Sequence, residues 1–64
     1  MDAPDLPAML LAYSDEKAAA LLDVKRGVVR GLVDTGQLRT IAVGRHKKIP
    51  HVELERYIRE QLET

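Results

Sequence analysis

The sequence predicts a single, mainly α domain that carries a small β-hairpin. Three observations lead there. Apolar residues recur at helical spacing in three separate stretches: Ala18, Leu21 and Leu22; Val29, Leu32 and Val33; and Leu54, Tyr57, Ile58 and Leu62. Between the second and third, Gln37 to Val43 switches to an alternating pattern rich in β-branched residues, as a strand does. The chain has 64 residues, which leaves room for one core only. Residues 1–9, with Pro4 and Pro7 beside Asp2 and Asp5, read as a flexible tail, and residues 10–64 as the domain.

Each element has a local reason. Leu10, Leu11 and Tyr13 lead apolar surface into the first helix. Ser14 is a good N-cap, since its hydroxyl can accept a free N–H of the first turn. Asp15 and Glu16 follow where the helix dipole favours negative charge. Lys17 occupies the position where a capping box has Glu, so that box is incomplete. The first helix is expected over residues 15–22, and Asp23-Val24 then makes a tight turn. A second helix spans about 25–35 and ends at Gly36, which suits a left-handed cap. Two short helices so joined form a helix-turn-helix. Gly44-Arg45 is a natural hairpin tip, with His46 to Ile49 as the return strand and Pro50 as its end. The last helix begins near His51 and reaches about Leu62, with Glu55–Arg59 and Arg56–Glu60 as i, i+4 pairs. The predicted core half of the middle segment is Val24, Val29, Leu32, Val33, Leu38 and Ile49. The fold class is therefore a winged helix-turn-helix.

Composition removes several function classes. Without cysteine there is no disulfide and no thiolate zinc site. His46 and His51 lack a second ligand at a recognised metal spacing, so neither metal nor cofactor is expected. Phe and Trp are absent, which makes the core aliphatic around Tyr13 and Tyr57. No apolar run approaches the ~20 residues of a membrane span, and the N-terminus lacks the basic start of a signal peptide. A cytoplasmic protein with no membrane partner is expected. The hydroxyl nucleophiles are few, Ser14 is better explained as a cap, and so small a domain has little volume for a pocket. An enzyme is not expected.

Net charge is zero, but its distribution is not even. From Lys25 to Lys48 seven cations face Asp34 alone, a net +6, and the remainder is −6. A cationic middle of this kind is the footprint of phosphate binding, so double-stranded DNA is the expected partner. The plainer alternative is two solvated faces that pair with each other. On the second helix, steps of 100° turn Gly27, Arg30, Gly31 and Asp34 outward, with Arg26 and Val28 on the flanks. Two glycines in one short helix cost roughly 0.8–1 kcal/mol each relative to Ala. They make sense where the helix must approach the major groove closely. Arg26 and Arg30 then reach guanine edges or phosphates, and Val28 meets a thymine methyl. Asp34 would repel phosphate unless it pairs with Arg30 or sits away from DNA. The tip residues Arg45, His46, Lys47 and Lys48 form a compact cationic loop suited to a phosphate backbone or a narrow minor groove.

The ordered set of residues resembles a known family. Ala18-Ala19 and Leu21-Leu22, then Val24, Arg26, Val29 and Leu32, are followed by Gly36-Gln37-Leu38, Val43-Gly44-Arg45, Ile49-Pro50, Leu54 and Tyr57-Ile58. Over residues 13–58 this is similar to the excisionase-type winged helix-turn-helix, related to the DNA-binding domain of MerR regulators. The resemblance implies a recombination directionality factor, which binds and bends DNA at phage attachment sites and turns a tyrosine integrase towards excision. It implies cooperative self-association on adjacent DNA sites. It also implies a recognition helix contributing Lys25, Arg26, Gly27, Val28 and Arg30, and a wing contributing Arg45, His46, Lys47 and Lys48. The chain departs from the pattern at Asp23, where Gly is usual, and at Lys25, where Ser or Thr usually caps the helix; Gly31 and Asp34 stand at positions often basic or polar. The chain ends soon after the last helix, which favours the small family members over a full MerR-like regulator. Two alternatives stay open: a small MerR-like transcriptional regulator, and a protein-interaction module that does not bind DNA. Charge asymmetry adds one expectation, that Glu53, Glu60 and Glu63 approach the wing of a neighbouring copy on DNA.

Overall fold

A computed structural model describes residue 7 and residues 10–63. The elements run β1 (Ala12–Tyr13), α1 (Asp15–Leu22), α2 (Arg26–Asp34), β2 (Ile41–Val43), β3 (His46–Pro50) and α3 (His51–Leu62). Three helices and a small antiparallel sheet of order β1-β3-β2 make a winged helix-turn-helix. The expected tail falls almost wholly outside the described residues.

Local chemistry sets the helix ends. Ser14 is extended at the N-cap of α1 and its Oγ accepts the Lys17 N–H at 3.1 Å. Asp23 closes α1 in the left-handed region, at φ 58° and ψ 47°. The N–H groups of Asp23 and Val24 return to the carbonyls of Ala20 and Ala19, at 3.2 and 2.9 Å, which uses two free acceptors of the helix end. Lys25 is the N-cap of α2 and makes no side-chain cap, as its departure from Ser or Thr implies. After α2, Gly36 adopts φ +79° and the chain folds back, with the N–H groups of Gln37 and Leu38 both donating to the Leu32 carbonyl. That return explains why the first wing strand covers only Ile41–Val43 and does not start at Gln37: the backbone of Gln37 and Leu38 is committed to the end of α2.

The wing turns through Gly44 and Arg45 between the paired residues Val43 and His46. Only Gly44 has positive φ, at +61°, the pattern of a two-residue turn with glycine first. Sequence pattern did not disclose β1, which pairs Ala12 with Pro50 and Tyr13 with Ile49. The ladder N–H next to Pro50 is supplied by His51, whose N–H donates to Leu11 at 2.7 Å, so the missing donor of proline leaves no gap.

The core is Ala18, Ala19, Val29, Leu38, Ile49 and Leu54, with Tyr13, Leu22, Leu32, Val33 and Tyr57 packed against it. Two small alanines on α1, Ala18 and Ala19, join Val29 of α2 in the buried core. Four expected core residues lie elsewhere. Leu21 and Val24 are exposed, because α1 turns its alanine face inward and the chain bends away after Asp23. Ile58 and Leu62 are also exposed, Leu62 at 80%, because the covered part of α3 ends at Tyr57.

Side chains fasten α3 to the sheet. Tyr13 Oη and His51 Nδ1 are 2.8 Å apart, which ties β1 to the start of α3. Glu53 accepts the Arg39 backbone N–H at 2.8 Å and pairs with Arg56, whose Nη2 also donates to the Gln37 carbonyl at 2.7 Å. The expected Arg56–Glu60 pair forms at 2.9 Å. The expected Glu55–Arg59 pair does not, since Glu55 faces His51 at 3.7 Å. Arg56 thus engages both Glu53 and Glu60 within the chain.

Candidate nucleic-acid interface

Helix α2 and the wing stand on either side of one open cleft of about 440 Å³. Arg30 and Val33 line it from α2, and Arg45, His46, Lys47 and Lys48 from the wing. Four of these are cationic, and Asp15 and Asp34 also line the cleft, so its balance is positive where two separate segments meet. Among the described residues, no ion pair or hydrogen bond engages the side chains of Arg45, His46, Lys47 or Lys48. These side chains are thus open to a polyanion.

The other expected recognition residues lie on the exposed surface of α2 rather than in the cleft. Lys25 caps the helix, Arg26 opens it and Val28 is half exposed. A Cβ built at Gly27 or at Gly31 meets nothing within 4 Å, so packing within the chain does not require glycine at either place. The helix backbone is bare there, and a ligand can approach it closely.

One residue of the site was not legible. Asp15 is a dipole residue of the first turn of α1, yet it also faces both arginines of α2. Its Oδ2 lies 3.3 Å from Nε of Arg26 and 3.4 Å from Nη1 of Arg30. Burial acts to raise its pKa, but the Arg26 guanidinium, the Glu16 N–H and Arg30 outweigh it and hold the carboxyl below its ordinary value. Arg30 pairs with Asp15 and not with Asp34, which stands unpaired on the cleft wall among the described residues. Fifteen positions separate Asp15 from Arg30, across a helix junction, so no local pattern signals the contact.

A helix-turn-helix whose second helix and wing share a cationic cleft defines a class of DNA-binding domains. The chain matches the helix-turn-helix domain family over residues 12–62 and belongs to it, a DNA-binding domain family found in excisionase-like proteins. Neither a curated protein nor a solved structure gives a significant match. Among the described residues no helix is long and apolar enough to cross a membrane.

Proposed function

We propose that this protein is an excisionase, a recombination directionality factor that binds and bends phage attachment-site DNA and turns a tyrosine integrase towards excision. The observation that carries its DNA-binding face is the convergence of Arg30 with Arg45, His46, Lys47 and Lys48 on one cleft. Helix α2 lies in the major groove, where Lys25, Arg26, Gly27, Val28 and Arg30 meet the DNA. The wing follows the adjacent backbone or enters the minor groove. Residues 10–64 are the DNA-binding unit. The directionality role is supported by the ordered resemblance over residues 13–58 and by the presence of this domain in excisionase-like proteins. It makes the integrase a second partner and cooperative self-association on tandem sites a third feature. It places the protein on DNA in the cytoplasm of a bacterial host.

The test is an integrase reaction on attachment-site DNA with and without the protein. A shift from integration to excision supports the role. Unchanged direction overturns it, and repression of a promoter without integrase would point instead to a transcriptional regulator on the same fold. Gel shifts no stronger than background on any duplex would leave a protein-interaction module as the better description.

A further inference from the structure

Two arginines on one face of α2 share a single carboxylate that comes from another helix. Asp15 is 26% exposed at its side chain, while Arg26 and Arg30 are 58% and 60% exposed. The carboxylate thus sits at the base of the pair, and the guanidiniums extend past it into solvent. An exposed ion pair contributes little to stability, with a median near 0–1 kcal/mol. What the arrangement does supply is orientation.

The atoms used are informative. Arg26 meets Asp15 through Nε, which leaves Nη1 and Nη2 as an end-on fork. Arg30 meets it through Nη1, which leaves Nε and Nη2 as a side-on fork. Guanine presents two acceptors, O6 and N7, in the major groove, and a bidentate arginine is the commonest way of reading them. A guanidinium free to rotate on its long side chain loses rotamer entropy when it forms two bonds; one already held by a carboxylate has lost part of it beforehand.

We propose that Asp15 is a specificity-determining positioning residue, holding Arg26 and Arg30 as paired forks for two guanines in the major groove. This rests on the DNA-binding reading of α2. The arginines are one helical turn apart, four residues or about 6 Å of rise. At about 3.4 Å per base pair, the guanines they read lie within about two base steps of each other. The carboxylate also offsets part of the charge of the pair. Binding to arbitrary phosphates is thereby held down, and reading of bases is sharpened.

The test begins with selection of duplexes from a random pool by the full chain. Affinities for a selected and a scrambled duplex are then measured at several salt concentrations for wild type, Asp15→Asn and Asp15→Ala. Circular dichroism checks that each variant keeps its helices; Asp15→Asn retains the polar group at the start of α1 and is the safer of the two. The expected result is a selected site with two close guanines. The ratio of specific to nonspecific affinity falls about tenfold in both variants, while nonspecific binding strengthens. A uniform rise in both affinities with an unchanged ratio would mean that Asp15 acts through charge alone, and would overturn the proposal. So would a selected site without the guanine pair. If wild type selects no sequence and binds no duplex, the DNA-binding reading itself fails, a result distinct from the other two.

Discussion

The Oε1 of Glu53, on α3, accepts the backbone N–H of Arg39 at 2.8 Å. This bond fixes the segment leading into the wing to the helix that follows it. Arg56 completes the joint by holding Glu53 at 2.9 Å and donating to the Gln37 carbonyl. Orientation of the wing relative to α2 therefore depends on a carboxylate that touches no part of the proposed DNA surface.

The hydrogen bond from Arg56 is the main reason that the Glu53 carboxyl is held at about 2, below its ordinary 4.5; the Arg39 N–H adds to it and desolvation opposes both. Because the folded value is depressed, the stabilisation is fully present above pH 4.5 and is lost as pH falls towards 2. Glu53→Gln is expected to cost about 1–2 kcal/mol at neutral pH, discounted for the solvent around Arg56. It should also flatten the acid limb of stability in that window. Urea melts between pH 2 and pH 7 check both; an acid limb unchanged in the variant contradicts the assignment.

Tyr13 and His51 join the two-residue strand β1 to α3 through one hydrogen bond of 2.8 Å. Tyr13→Phe keeps the ring and removes the hydroxyl. A loss of about 1 kcal/mol is expected, with amide exchange accelerated first at Leu11 to Tyr13. Unchanged protection of β1 would show that the backbone bonds hold the strand without the side chain.

Asp23 occupies a left-handed conformation that glycine adopts freely. Asp23→Gly is expected to raise stability by about 0.5–1 kcal/mol in chemical denaturation, through relief of that conformation. A destabilised variant would indicate that the aspartate side chain itself holds the turn.

Gly31 lies in open space on α2. Gly31→Ala is expected to stabilise the fold by about 0.8–1 kcal/mol and to weaken binding to duplex DNA. Stability and affinity rising together would show that the helix does not need a bare backbone for its partner.

Much of the fold was legible because its signals are local. Ser14, Gly36 and Gly44 each mark a backbone event within a few residues, and the helix limits at Asp15, Leu22 and Leu62 agree with caps and periodicity. The clustering of Arg30 with Arg45 to Lys48 was legible as a run of charge. What escaped depends on distant partners. Strand β1 has two residues, too few to show alternation, and exists because Ile49 and Pro50 lie beside it. Asp15 looked like a dipole residue because its second role requires α2 to fold back over α1. Ile58 and Leu62 follow helical spacing faithfully, yet α3 extends past the surface that would cover them.

The wing lysines offer a quantitative check on the phosphate contact. Lys47→Ala and Lys48→Ala should each reduce the slope of log affinity against log salt by about 0.9. An unchanged slope in both would remove the wing from the interface.

The central claim is that α2 and the wing together form the DNA-binding face, and backbone amide chemical shifts measured while duplex DNA is added test it most directly. At 64 residues every amide is within reach of such a titration. The largest changes are predicted at Lys25 to Gly31 and at Gly44 to Lys48, with the amides from Ile58 to Leu62 unmoved. Changes centred on the second half of α3, with α2 and the wing silent, would contradict the account.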